Sequence, residues 1–170
     1  VIDKEAEEVM DINAANPLFF YPFLNGGAPL GNCSEATGTF YGVNLATVRG
    51  NFALAVMEGV AYQIRSILEA MKAYENVDTM VIFGGVAKSR LWCQIIADIT
   101  GMKINVPENL EAASAGAARL ASIGCGNDVG PLKYGKCYTP SDKKDIYNKN
   151  YLKYKEIERK DPGCESQGYI

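Results

Sequence analysis

Between residues 51 and 124, helical hydrophobic patterning alternates with short apolar runs bounded by glycine, and this alternation limits the folds open to the chain. From Asn51 to Ala73, Val56, Val60, Ile64, Ile67 and Met71 recur at intervals of 4, 4, 3 and 4 residues, which is one face of a helix. Phe52, Ala55, Gly59 and Tyr62 form a second apolar row. The helix is therefore expected to lie between other elements, with Val60, Ile64 and Ile67 fully inside. TMVIFGG then reads as a buried parallel strand. Ser89 to Thr100 reads as a helix with Leu91, Trp92, Ile95, Ile96 and Ile99 inward, stopped by Gly101. KINV is a second short strand, and AASAGAARLAS a helix whose Ala113, Ala117 and Ala121 face permits close packing on a sheet. Successive crossovers of this kind require parallel strands with helices packed on the sheet, so the fold class is α/β.

The flanks are less regular. Residues 3 to 15 give an imperfect helical face through Ala6, Val9, Met10 and Ile12. From Asn16 the stretch FFYPFLNGGAPLGN, with Pro17, Pro22, Pro29 and its glycines, cannot continue a helix and reads as an ordered loop or short hairpin. GTFYGV at 38 to 43 is a short extended segment. GNDVGPLKYGKCYTP reads as a linker before a final amphipathic helix with Tyr147, Tyr151 and Tyr154 at i, i+4 and i+7. Such a stripe is far more often core than an aromatic platform for a ligand.

Composition excludes several functions. At 170 residues with 48% hydrophobic and 22% charged side chains, the chain is long enough for one domain with a real core. Lys plus Arg number 17 against 20 for Asp plus Glu, without long blocks of one sign, so no footprint for nucleic acid is present. No long apolar run or secretory signal points to a membrane, and a cytoplasmic setting is expected. The five cysteines form no CxxC pair and read as free thiols. Without a single histidine, Ser/His/Asp and Cys/His catalysis and His-containing metal sites are ruled out within this chain. Val1 opens directly into an acidic helical stretch, so the sequence reads as part of something longer, incomplete at its N-terminus.

Chemistry can reside in VIFGGVAKSRLW, where a buried strand leaves through Gly84 and Gly85 and enters a helix with Ser89 as N-cap. Paired glycines admit a ligand close to the backbone, and the helix start offers unpaired N–H groups. The same pair is also what a plain tight turn requires. Neither GxxxxGK[ST] nor GxGxxG occurs. Glu58, set in AVMEGVAY, reads either as a base with a raised pKa or, preferentially, as a carboxylate held by a cation or helix end. Arg49 is the nearest cation in sequence, although not on the same helical face. Gln94 and Asp98 read as structural.

Taken in order, these segments resemble the FGGY carbohydrate kinases, a family that includes xylulose, gluconate, ribulose and glycerol kinases. FYPFLNGGAP resembles the family's Phe/Pro/Leu loop, and GTFYGVNLATVRGNFALAVMEG its second signature, through Gly38, Gly42, Asn51, Ala55 and Glu58. GGVAKSRLWCQIIADITG resembles the adenosine segment, and PENLEAASAGAARLASIGCG the small-residue helix that follows. The match spans roughly residues 17 to 126, and YNKNYLKYKEI resembles the C-terminal helix more loosely. Two departures stand out. Many members read GERSP where this chain has Gly26, Gly27, Ala28 and Pro29, and many carry Arg where it has Leu54. Joint loss of these charges is what a shared buried network would require, since an orphaned partner costs about 3 to 5 kcal/mol.

The resemblance implies a ribonuclease H-like fold of the actin-like ATPase clan. It implies that residues 1–170 are most of the second, C-terminal domain of a kinase whose N-terminal domain, binding most of the sugar, is not in this chain. In that reading Gly84 and Gly85 line the adenosine pocket, Val86 and Ala87 sit beside the base, and Ser89 bonds toward the adenine edge. The cofactor is ATP with Mg, and the acceptor is a sugar, sugar acid or polyol. The family's phosphate loop and transfer Asp lie upstream, so the chain holds no catalytic residue and no metal ligand. A homodimer of the parent is left open. The alternative is a non-catalytic nucleotide-binding or assembly module of the same clan.

Overall fold

The computed structural model describes residues 2–10, 18–26, 36–72, 74 and 77–158. Its elements are α1 (Ile2–Glu8), β1 (Phe19–Tyr21), β2 (Thr39–Tyr41), α2 (Arg49–Met71), β3 (Thr79–Val81), α3 (Arg90–Thr100), β4 (Lys103–Pro107), α4 (Ala112–Gly124), β5 (Tyr134–Tyr138) and α5 (Lys144–Glu158). The expected alternation from the long helix to the small-residue helix is present in that order.

Two sheets organise the strands. In the three-stranded sheet the order is β3-β4-β5. Strands β3 and β4 run parallel with Met80 opposite Ile104, as the crossover through α3 demands. Strand β5 is antiparallel to β4, with Asn105 opposite Cys137. This strand corrects the linker reading of residues 126 to 140 and makes the sheet mixed. Four of its five residues are exposed, so no inward alternation marked it, and backbone pairing to β4 defines it. Strands β1 and β2 form a separate antiparallel pair with Phe20 opposite Phe40.

The core lies around α2. Phe19, Tyr21, Tyr62, Tyr147, Tyr151 and Tyr154 are all buried, together with Ile95, Ile96 and Ile99 of α3. The tyrosine stripe of α5 is therefore core, with the Tyr154 ring stacked on Tyr21 at 4.4 Å. Arg65 ties three helices together. It donates to the Ile99 carbonyl at 3.1 Å and to Asn148 Oδ1 at 2.7 Å, and its guanidinium lies 4.1 Å from the centre of the Tyr151 ring.

Three packing expectations are corrected. Strand β3, expected to be buried, lies at the edge of the three-stranded sheet with Thr79 and Val81 exposed and Met80 only half-buried. The buried residues of α2 are Gly50, Leu54, Ala55, Met57, Glu58, Gly59, Ala61, Tyr62 and Gln63, whereas Val60, Ile64 and Ile67 are only half-buried and Met71 is exposed. Small residues decide this outcome. At Gly59 an added Cβ would stand 2.2 Å from the Phe20 carbonyl oxygen, so β1 approaches the glycine row and the bulky stripe turns away. Helix α4 has no buried residue, and Ala113, Ala117 and Ala121 are exposed. No described element covers that face. The helix is fastened instead by Arg119, which donates to the carbonyls of Val129 and Gly130 in the loop that follows. Among the described residues, no helix is long and apolar enough to cross a membrane.

Candidate functional site

The turn after β3 is built by its own backbone. Gly84 has φ +74, in the left-handed region that favours glycine, and its N–H donates to the Leu110 carbonyl at 3.2 Å. Gly85 follows with ordinary helical angles, and Val86–Lys88 make a single 3-10 turn. Ser89 caps α3, its Oγ accepting from the Trp92 N–H at 3.0 Å. The Trp92 indole N–H in turn donates to the Met57 carbonyl at 3.0 Å, which pins the start of α3 onto α2. Beneath the turn, Ala87 is buried in a small cluster with Cys93 and Val106, and the Cys93 thiol reaches the Val86 carbonyl at 3.6 Å.

Helix α1 stands opposite this turn. Ala6 is fully buried, and at Gly50 an added Cβ would lie 2.3 Å from the Glu5 carbonyl oxygen, so α1 and α2 cross nearly in backbone contact. Arg49 adds an ion pair to Glu5 at 3.1 Å. This seating brings the first residues of α1 up to the turn. Between them lies an open cavity of about 440 Å³ lined by Ile2, Asp3, Gly85, Lys88 and Ser89. A Cβ added at Gly84 or Gly85 would meet nothing within 4 Å. Gly84 is needed for its backbone angle, whereas no neighbour among the described residues requires the second glycine.

The site can accept a flat polar ligand. It offers bare glycine backbone, the hydroxyl proton of Ser89, whose oxygen is engaged at the cap, and one charge of each sign from Asp3 and Lys88. Of the residues singled out in the sequence, Gly85 and Ser89 line the cavity. Gly84 shapes the turn, Val86 is half-buried against the main core, and Ala87 points into the interior. Ile2, Asp3 and Lys88 were not anticipated. Lys88 sits inside the recognised segment, but Ile2 and Asp3 are more than 80 positions away from Gly85 in sequence. Only Gly50, as a point of close helix crossing, could have hinted at them.

The other singled-out polar residues have structural roles. Glu58 is buried and accepts from the Tyr147 hydroxyl at 3.1 Å. Burial pushes its carboxyl up to about 7, and the Tyr147 bond offsets part of that shift. Arg49 is not its partner, being paired to Glu5. Asp98 accepts from the Ser141 N–H at 2.6 Å and from Gln94 Nε2 at 2.9 Å, and Gln94 also donates to the Thr139 carbonyl at 2.9 Å. This pair ties α3 to the chain after β5. Leu54, where many FGGY members carry Arg, is buried in the hydrophobic core. Gly27, Ala28 and Pro29 lie outside the described residues, and Gly26 has φ +85. No group of three His, Cys, Asp or Glu among the described residues could hold a metal.

Comparison with known proteins identifies the family. Residues 3–125 match the FGGY family of carbohydrate kinases, C-terminal domain. The chain is 30% identical over 169 residues to a xylulose kinase of Staphylococcus epidermidis, covering 91% of this chain and 34% of the relative. To a glycerol kinase of Myxococcus xanthus it is 35% identical over 168 residues, covering 93% and 33%. Among solved structures, the xylulose kinase from Rhodospirillum rubrum superposes with a TM-score of 0.74 at 26% identity, over 94% of this chain and 33% of that one. The chain thus spans about a third of the length of the relatives it matches. Its fold is that of the FGGY kinases, an actin-like ATPase fold. The chain belongs to the FGGY family of carbohydrate kinases, whose C-terminal domain it matches.

Proposed function

We propose that this chain is the greater part of the second domain of an ATP-dependent carbohydrate kinase, and that it holds the nucleoside of ATP against the Gly84–Ser89 turn. The observation that carries this reading is the empty space over Gly85, bounded by α1 on its far side. A nucleobase needs a slot free of side chains and a few oriented polar groups, which glycine backbone and one hydroxyl supply. Transfer of a phosphoryl group to a sugar hydroxyl depends on positioning, a metal and a base near the acceptor. Glu58 is not that base, since it is buried in the core against Tyr147 and not at the cavity. In this reading the ligands for Mg, the transferring Asp and most of the sugar site belong to the rest of the protein. The acceptor is a sugar, sugar acid or polyol, and the enzyme works in the cytoplasm where ATP is plentiful.

The test is ADP release by the full-length protein given ATP and a panel of pentoses, hexonates and polyols. At least one acceptor is expected to raise ADP release above the blank, while the purified 170-residue chain transfers to none. Nucleotide binding by the full-length protein without transfer to any acceptor would favour a non-catalytic nucleotide-driven module.

A further inference from the structure

Resting on that nucleotide reading, we infer that α1 is the second wall of the pocket and that Asp3 is a binding residue that reads the hydrogen-bond donors of the nucleoside. Three observations carry this. First, α1 is held in place by contacts that leave little freedom, namely buried Ala6, the close crossing at Gly50 and the Arg49–Glu5 pair. Second, Ile2 and Asp3 line the same cavity as Gly85, Lys88 and Ser89. Third, neither the Asp3 carboxylate nor the Lys88 ammonium has a hydrogen-bond or ion-pair partner among the described residues, the Lys88 backbone N–H being engaged at the Gly85 carbonyl. Their opposite charges flank one opening without being consumed by the fold.

The chemistry of the lining fits the two ends of a nucleotide. An ionised carboxylate only accepts, so Asp3 suits N–H or O–H donors, which a nucleoside presents as the exocyclic amine of adenine and the ribose hydroxyls. The Lys88 ammonium is a compact cation suited to the phosphate end. Ile2 offers apolar surface to a base lying over the bare backbone at Gly85. The ligand is thereby oriented with its nucleoside toward α1 and its phosphates past Lys88.

ADP, IDP and 2′,3′-dideoxy-ADP are titrated calorimetrically into the full-length protein, wild type and Asp3→Asn, with Gly85→Val as the reference for the site itself. Asp3→Asn is expected to weaken ADP on the order of tenfold, the effect of losing one charge-assisted hydrogen bond. If the adenine amine is the partner, IDP shows no such loss. If the ribose is the partner, the dideoxy nucleotide shows none. Asp3 also sits in the first turn of a helix, where an acid is favourable, so the thermal midpoint is recorded alongside. Equal weakening of all three ligands would mark a merely structural effect and overturn the inference. Unchanged ADP binding in Asp3→Asn, with binding lost in Gly85→Val, would overturn it while leaving the nucleotide reading standing. Indifference to both substitutions would remove both.

Discussion

The hydroxyl of Tyr147 on α5 donates to Oε1 of Glu58 on α2 at 3.1 Å, and both side chains lie in the interior. This bond joins the last helix to the central one without an opposite charge in the contact. Because the carboxyl is raised from 4.5 to about 7 by burial, folding favours its protonated form.

The sign of the pH effect follows directly. The unfolded chain releases the Glu58 proton near 4.5 and the folded chain near 7, so stability from this group is complete at low pH and lost between those values. The loss is about 3 kcal/mol when complete. Urea unfolding at pH 5 and pH 8 should show Glu58→Gln gaining on the wild type by about 2 kcal/mol or more over that interval. A constant difference between the two proteins would mean that Glu58 stays ionised in the core.

Two glycines in helices should respond to alanine with opposite signs. Gly59→Ala removes a helix-weakening glycine but drives a methyl into the Phe20 carbonyl, so the clash prevails and the cost is roughly 1 to 3 kcal/mol. Gly116 in α4 has nothing within 4 Å of an added Cβ, so Gly116→Ala should stabilise by about 0.5 to 1 kcal/mol. Denaturation midpoints of the two variants on opposite sides of the wild type are the expected result. A stabilising Gly59→Ala would contradict the close approach of β1 to α2.

Core truncations should rank by the burial found here. Ile96, with 1% of its surface exposed, should cost roughly 2 to 5 kcal/mol on change to Ala. Ile64→Ala, from the half-buried stripe, should cost less. Reversal of that order would restore the reading in which the β-branched stripe of α2 is its inner face.

That stripe shows where sequence was a sufficient guide and where it was not. Periodicity located α2 and α3, Ser89 and Gly101 marked the ends of α3, and the tyrosines of α5 were recognisable as core. Each of these rests on local pattern. Which face of α2 is innermost depends on close approach at Gly50 and Gly59, a property of neighbours distant in sequence. Strand β5 is not legible because it is exposed and exists through pairing, and the small-residue pattern of α4 implies a packed face that no described element covers. The candidate site divides the same way. Its turn was visible as a local motif, while its opposite wall at Ile2 and Asp3 arises only from the crossing of α1 over α2.

The most direct test of the nucleoside site is the ATP dissociation constant of the full-length protein carrying Gly85→Val. Gly85 has φ −61 and ψ −43, which valine adopts without strain, and its Cβ would enter open space, so the variant should fold normally. The branched side chain then occupies the slot where the base must lie. ATP binding should weaken on the order of tenfold or more, with sugar affinity and thermal midpoint little changed. An unchanged ATP dissociation constant in a folded Gly85→Val protein would show the glycine pair to be only a turn and would contradict the assignment.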